Sequence, residues 1–272
     1  MSSSDAIGVF DSGLGGLSAV KEFLRVLPAE KIVNFGDTGR VPYGTRSRDT
    51  IRKYAVQDTA FLRTHNVKMI VAACGTVSSV AGDLLRETLP VPYTGVVNPT
   101  AYTAVRVTKN SKIGVIGTAA TVSSHSYKLR LEKLMPGVQV FEHACPLFVP
   151  LVENGIIDRN DEITKAVVAR YLEPLRESGV DTLILGCTHF PLLREAVSDY
   201  MGEGVTLIDS GLETALYAAK VLSEQGLLNP SPVPRSPEFY VSDTPDGFKA
   251  VAELFLGRDM EHTVTQIDIE QY

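Results

Sequence analysis

Short apolar runs alternate with amphipathic stretches along the whole chain. The runs Ala6–Phe10, Ile32–Gly36, Met69–Ala73, Tyr93–Val96, Lys112–Ile116, Gln139–His143, Asp181–Leu185, Val205–Ile208 and Glu238–Val241 read as strands. They are short and rich in Val and Ile, as strands buried on both faces are. Between them, Gly16–Val26, Ser47–His65, Thr121–Leu134, Asn160–Ser178 and Leu212–Gln225 read as helices. This alternation predicts an α/β protein with parallel sheets covered by helices. Leu228–Pro237, with its four prolines, reads as an exposed connection.

The pattern also repeats. Ile7-Gly8-Val9 leads into Asp11-Ser12-Gly13-Leu14, and Ile113-Gly114-Val115 leads into Gly117-Thr118-Ala119, an offset of 113 − 7 = 106. Met69-Ile-Val-Ala-Ala-Cys74 and Thr182-Leu-Ile-Leu-Gly-Cys187 are two apolar runs that each break at a thiol, offset by 187 − 74 = 113. Two similar offsets predict a duplication: two similar parallel-sheet lobes related by a pseudo-two-fold axis, with the active site in the cleft between them. The expected division puts residues 1–98 and 211–272 in the first lobe and 99–210 in the second. Chance convergence of strand–turn–helix units is the competing explanation.

Composition narrows the function classes. Of the 272 residues, 44% are hydrophobic and 21% charged, values of a globular domain. The net charge of −6 comes without any basic block, so no nucleic-acid partner is expected. No apolar run approaches the length of a membrane span, and Met-Ser-Ser-Ser-Asp lacks the features of a signal peptide. Three cysteines make no disulfide framework, so free thiols in a cytoplasmic setting are expected.

The candidate chemistry gathers at strand ends, where open α/β folds bind their ligands. Phe10-Asp11-Ser12-Gly13-Leu14-Gly15-Gly16 follows a strand and opens a helix. Its glycines let backbone N–H groups approach an anion, and Asp11 stands where it can tune a proton transfer. The spacing is not that of a dinucleotide loop, and a tight turn with an N-cap explains the segment equally well. Val41-Pro42-Tyr43-Gly44 reads as a turn bearing one aromatic hydroxyl. Cys74-Gly75-Thr76 and Cys187-Thr188-His189 combine a thiol with backbone and hydroxyl donors suited to a carboxylate. His189 stands where it can assist the thiol of Cys187. A buried cysteine is ordinarily a small hydrophobe, but a strand end followed by donors argues for function. A zinc site commonly pairs close cysteines, and no such pair occurs; a Cys–His hydrolase would leave the second thiol idle. Cys145, followed by a proline, reads as structural. Glu153 is either solvated or lines the cleft, and His125 reads as a helix-surface residue.

Two thiols on opposite sides of a substrate fit one class of chemistry. Inverting an amino acid at Cα needs a base on one face and an acid on the other, with the two groups in opposite protonation states. This scheme needs no pyridoxal phosphate, nicotinamide or metal, and no signature of a cofactor site is visible.

Four segments, in order, resemble those of the bacterial glutamate racemase family: Phe10-Asp-Ser-Gly-Leu-Gly-Gly16, Asp37-Thr-Gly-Arg-Val-Pro-Tyr-Gly44, Ala73-Cys-Gly-Thr76 and Leu185-Gly-Cys-Thr-His-Phe-Pro-Leu192. Phe239-Tyr-Val-Ser-Asp243 is similar too. The resemblance implies two α/β lobes, no cofactor, a homodimer, glutamate as substrate and D-glutamate for peptidoglycan as product. It further implies that Cys74 acts on D-glutamate and Cys187 on L-glutamate, with Asp11 and His189 assisting. Substrate contacts would come from Asp11, Ser12, Tyr43, Gly44, Gly75, Thr76, Thr118, Thr121, Glu153, Thr188 and His189. One departure stands out: the family usually carries Asn where this chain has Gly75. That change keeps two other readings open, a racemase of aspartate or another acidic amino acid, and a catalytically weak glutamate-binding protein.

Overall fold

The structure is a computed structural model, and it describes the chain apart from residues 247, 258 and 260–262. The elements in chain order begin with β1 (Ala6–Asp11), α1 (Leu17–Val26), β2 (Ile32–Gly36), α2 (Arg48–Arg63), β3 (Val67–Ala72), α3 (Gly75–Val80), α4 (Gly82–Thr88) and β4 (Tyr93–Gly95). Then follow α5 (Val97–Val107), β5 (Lys112–Gly117), α6 (Ala119–Ser123), α7 (Ser126–Leu134), β6 (Gln139–Ala144), α8 (Phe148–Glu153), α9 (Glu162–Glu177) and β7 (Thr182–Leu185). The chain continues through α10 (Arg194–Met201), β8 (Thr206–Asp209), α11 (Ser210–Glu224), β9 (Glu238–Val241), α12 (Phe248–Leu256) and β10 (Val264–Gln266).

The strands form two parallel sheets, in the orders β10-β9-β2-β1-β3-β4 and β6-β5-β7-β8. The central strands β1, β3 and β7 are buried at every position, so their apolar runs are continuous rather than alternating. The order β2-β1-β3-β4 in the first sheet repeats as β6-β5-β7-β8 in the second.

The register carries the repeat to single residues. Phe10 pairs with Ala72 and Ile116 pairs with Leu185, and these pairs are related by the offsets 106 and 113 seen in the sequence. One residue beyond each strand, Ala73 N–H donates to Phe10 O at 2.9 Å and Gly186 N–H donates to Ile116 O at 2.8 Å. The next residues are Cys74 and Cys187. The two thiols thus leave their sheets at equivalent points.

A single apolar cluster runs from β1 and β3 through α1 and α11 to β7 and α9, and it includes Cys187 and Cys145. Cys74 belongs to a second cluster within the first lobe. Three expectations need correction. Thr121–Leu134 is not one helix: His125 adopts φ 51°, and this left-handed residue separates α6 from α7. His125 therefore sits at a break, where its Nδ1 meets Glu142 Oε2 at 2.6 Å. The chain after the proline-rich connection also forms more than one strand, adding α12 and β10. Among the described residues no helix is long and apolar enough to cross a membrane.

Candidate active site

Each thiol sits in a turn that its own sequence builds. Cys74 is the N-cap of α3, and its Sγ accepts the Val77 N–H at 3.5 Å. Its thiol donates to Ser12 Oγ, also at 3.5 Å. Cys187 lies between β7 and a 3₁₀ turn at Phe190–Leu193, and its Sγ is 3.9 Å from His189 Nδ1. Both thiols are buried, with 5% and 6% exposure, and each lies within electrostatic reach of the other.

The surroundings make the two sulfurs unlike. Burial pushes the Cys74 thiol up to about 12, and the adjacent Asp11 carboxylate adds to that, so Cys74 keeps its proton at neutral pH. Asp11 is itself buried, which raises its pKa against the opposing pull of His189 and of the Gly16 and Gly13 N–H groups. Gly13 N–H donates to Asp11 Oδ2 at 3.1 Å, while the buried Oδ1 meets no partner of hydrogen-bond geometry. On the Cys187 side, burial alone would lower His189. The bonds to Cys187 and Glu153 outweigh it and push the imidazole up to about 10. Its Nε2 is 3.1 Å from Glu153 Oε1, a half-exposed carboxylate. The ring also lies edge-on to Phe255 of α12.

The other expected residues gather along the seam between the lobes. Thr76 Oγ1 and Thr118 Oγ1 are 2.9 Å apart, and Thr118 Oγ1 is 3.0 Å from Thr121 Oγ1, so a chain of hydroxyls crosses from one lobe to the other. Gly44 packs against Thr118. Gly15 has Thr188 and His189 so close that a Cβ there would stand 2.4 Å from Thr188 Oγ1. Gly75 faces the backbone of Gly186, with no room for a side chain.

Tyr43 is placed differently from its neighbours. It is fully buried, and its hydroxyl donates to Asp37 and, at 3.1 Å, to Asp58. Arg40 binds both carboxylates, 2.6 Å to Asp37 Oδ2 and 2.9 Å to Asp58 Oδ1. It also donates to Gln57 Oε1 at 2.6 Å. Ser242 Oγ, just past β9, donates to Asp37 Oδ1 at 2.7 Å. This network fixes the 3₁₀ turn Tyr43–Thr45 that brings Gly44 to Thr118. Sequence reading quoted Asp37, Arg40 and Ser242 within the segments that carry the resemblance but gave them no role, and it left out Gln57 and Asp58. One signal was available: Asp58 lies in register with Ile51, Ala55 and Leu62 on the apolar stripe of α2, where a carboxylate needs a partner.

Cys145 is buried in the core, its Sγ 3.9 Å from His143 O. Among the described residues no group of three His, Cys, Asp or Glu is placed to hold a metal ion. A basic cavity of about 570 Å³ lies beyond α3, lined by Arg48, Arg52, Arg86, Arg130 and Lys133 among others; neither thiol lines it.

The fold and the site define a two-lobed α/β protein with a pair of buried thiols at equivalent strand ends. A sequence profile of the Asp/Glu/Hydantoin racemase family matches residues 7–218, and the chain belongs to that family. Within it, the chain is 44% identical to the glutamate racemase of Geobacter metallireducens, over 97% of both chains. A solved glutamate racemase from Bacillus anthracis superimposes with a TM-score of 0.92 at 38% identity, covering 97% of both chains. The Francisella tularensis glutamate racemase, solved with D-glutamate, gives 0.91 at 36% identity, covering 99% of this chain and all of that one.

Proposed function

We propose that the protein interconverts L- and D-glutamate by acid/base chemistry between two thiols, without a cofactor. The observation that carries this reading is the equivalent placement of Cys74 and Cys187 at the ends of β3 and β7. Racemisation at Cα needs a proton taken from one face and a proton given to the other. In the L-to-D direction, Cys187 as thiolate takes the Cα proton beside the His189 imidazolium, while Cys74, held protonated by burial, delivers one to the opposite face. In the D-to-L direction Cys74 must first lose its proton, and Asp11 is in contact to receive it. The free Oδ1 of Asp11 is a suitable acceptor for the substrate ammonium. Ser12, Gly44, Gly75, Thr76, Thr118, Thr121 and Thr188 line the same seam and supply donors for the carboxylates. Tyr43 serves by fixing Gly44. Glu153 serves by supporting His189.

The product suits peptidoglycan synthesis, as the family resemblance implies. The lobe division at 1–98 with 211–272 and 99–210 is supported by sheet membership, with β5–β8 forming the second sheet alone. A homodimer and a cytoplasmic setting belong to the same proposal; the three free thiols suit a reducing compartment.

Incubation with L-glutamate in D₂O tests the reading. Deuterium should enter Cα while optical rotation falls to zero, and Cys74→Ala and Cys187→Ala should each abolish racemisation. Absence of exchange at high enzyme concentration would refute it. Gly75 motivates a second reading, a different acidic amino acid, which would show as a higher kcat/KM for that substrate.

A further inference from the structure

Two of the segments that carry the family resemblance, Asp37–Gly44 and Phe239–Asp243, are far apart in sequence, and the structure joins them. β9 lies beside β2 in the first sheet, with Gly36 paired to Val241. Beyond that pair, Ser242 N–H donates to Gly36 O at 3.3 Å, and Asp243 N–H donates to Thr38 Oγ1 at 3.1 Å. The Ser242 hydroxyl is used on both sides. It accepts the Gly39 N–H at 2.8 Å and donates to Asp37 Oδ1 at 2.7 Å.

The place of Asp37 gives this one donor its leverage. Arg40 Nε and the Tyr43 hydroxyl both bind Oδ2 of the buried carboxylate, and Ser242 holds the other oxygen. Donors on both oxygens fix the plane of the carboxylate, and a fixed carboxylate fixes the phenol that donates to it. Losing Ser242 frees the carboxylate to turn. The single proton of the phenol then has Asp58 Oδ2, at 3.1 Å, as its alternative acceptor. Tyr43 opens the turn Tyr43–Thr45, and the next residue is Gly44. Gly44 has no slack: a Cβ there would stand 3.2 Å from Thr118 Cβ, closer than ordinary van der Waals contact. Thr118 in turn bonds Thr76 and Thr121. A route of direct contacts thus leads from Ser242 through Asp37, Tyr43 and Gly44 to the hydroxyl chain between the lobes.

We infer that Ser242 is a positioning residue for substrate binding: through Asp37 and Tyr43 it sets where Gly44 presents its backbone to the substrate. The inference rests on the racemase reading of the site, in which Gly44 supplies a donor for a substrate carboxylate. It gives the C-terminal segment a part in the site, without Ser242 touching the substrate. A contact made equally in the ground state and the transition state governs KM rather than kcat, so the effect of Ser242 belongs in KM.

Ser242→Ala tests it. KM should rise on the order of tenfold for both enantiomers of glutamate, the worth of one donor to a charged group, with kcat within about twofold of wild type. Ser178→Ala loses a comparable hydroxyl bond, 2.7 Å to Leu175 O in the second lobe, and serves as the control that should leave KM unchanged. Tyr43→Phe keeps the ring and cuts the route. It should raise KM by itself, and Ser242→Ala added to it should change KM by less than about twofold, because residues acting through one path are not additive. Hydrogen–deuterium exchange, which needs no substrate, should show residues 43–46 exchanging faster in Ser242→Ala. A wild-type KM in Ser242→Ala would overturn the inference, whatever its melting temperature. So would a fall in kcat at unchanged KM, full additivity with Tyr43→Phe, or unchanged exchange at 43–46. If Ser242→Ala does not fold, Tyr43→Phe carries the same prediction, and a wild-type KM there overturns it. If the wild-type protein does not racemise glutamate, the functional reading fails, while the exchange comparison still decides whether Ser242 holds the turn.

Discussion

Arg40→Met should be among the most damaging substitutions outside the cleft. Arg40 is the cation of a buried network with two carboxylates, Asp37 and Asp58, whose side chains are 0% exposed. Its own side chain is 10% exposed and stacks over Tyr54, with Cζ 4.1 Å from the ring centroid. Met keeps most of the stacking volume and removes the charge. Removing one partner of a buried ion pair costs about 3–5 kcal/mol, because the other charge is left uncompensated. For a chain of this size, that corresponds to a fall in melting temperature of roughly 6–20 °C.

The pH dependence has a definite sign. Burial raises the Asp58 pKa well above its ordinary value, the Asp37 charge raises it further, and Arg40 opposes both. A carboxyl with a raised folded-state pKa contributes stability that is present below its unfolded value, about 3.9, and is lost as pH rises through the folded value. Without Arg40 that loss grows. The deficit of Arg40→Met should therefore be larger at pH 7.5 than at pH 5.5. The chain contains no Trp, so calorimetry or circular dichroism at both pH values is the suitable assay. Asp58→Asn keeps the site neutral and should cost only about 1–2 kcal/mol, the loss of one well-matched hydrogen bond. An Arg40→Met protein within about 1 kcal/mol of wild type at pH 7.5, or a deficit that grows on acidification, would refute the argument.

Three further outcomes follow from the same geometry. Glu153→Gln removes one of the two supports that hold His189 at about 10; the alkaline limb of kcat/KM should move to lower pH, by less than a unit because Glu153 is half-exposed, and an unmoved limb would contradict the assigned role. Cys74 carries a raised pKa, so its stabilising share is complete below the unfolded thiol value of about 8.5 and fades as pH rises toward 12. Urea unfolding between pH 9 and 10.5 should thus show wild type losing up to about 1.4 kcal/mol per pH unit more than Cys74→Ala. Cys145→Ala should retain the racemase kinetics and lose about 1–2 kcal/mol of stability from a small core cavity; lost activity would give this third thiol a part in the chemistry.

The legible and illegible features differ in range. The strand ends bearing Cys74 and Cys187 were readable because a buried parallel strand is a local pattern, and the repeat offsets then tied the two together. The break at His125 was not readable, since a left-handed residue leaves no trace in hydrophobic periodicity. The Arg40 network escaped because its partners stand far apart in sequence: Asp37, Asp58 and Ser242 are brought together by β2, α2 and β9, and each alone looks like an ordinary polar residue. The signals were the place of Asp58 on an apolar helix stripe and the presence of Asp37, Arg40 and Ser242 in segments that carry the family resemblance. Gly75 was visible as a departure from the family pattern, which suggested a missing donor. Its close approach to the backbone of Gly186 exists only once both lobes are assembled.

The duplication makes the two halves equivalent in backbone and then uses them unequally. Asp11 at the end of β1 corresponds to Gly117 at the end of β5. Their carbonyls accept N–H groups from Asp37 and Cys145, each at 3.0 Å. In the first lobe these positions hold a carboxylate beside Cys74 and an anchor for the Tyr43 turn. In the second they hold a glycine and a buried thiol, and the charged partners of Cys187 come instead from His189 and Glu153. A symmetric site would give both sulfurs the same proton affinity. Here burial, with the Asp11 carboxylate adding to it, raises the Cys74 pKa, and His189, its own pKa raised, stands beside Cys187. The two thiols therefore lie in unlike surroundings on the two sides of the seam. In the proposed mechanism the D-to-L direction first moves a proton from Cys74 to Asp11, which makes Asp11→Asn a selective test. It should lower kcat for D-glutamate more than kcat for L-glutamate, measured as initial rates at saturating substrate. The KM values should shift in step, because enantiomers are equal in free energy and the two kcat/KM values must stay equal. Equal losses in both directions would assign Asp11 to substrate binding alone.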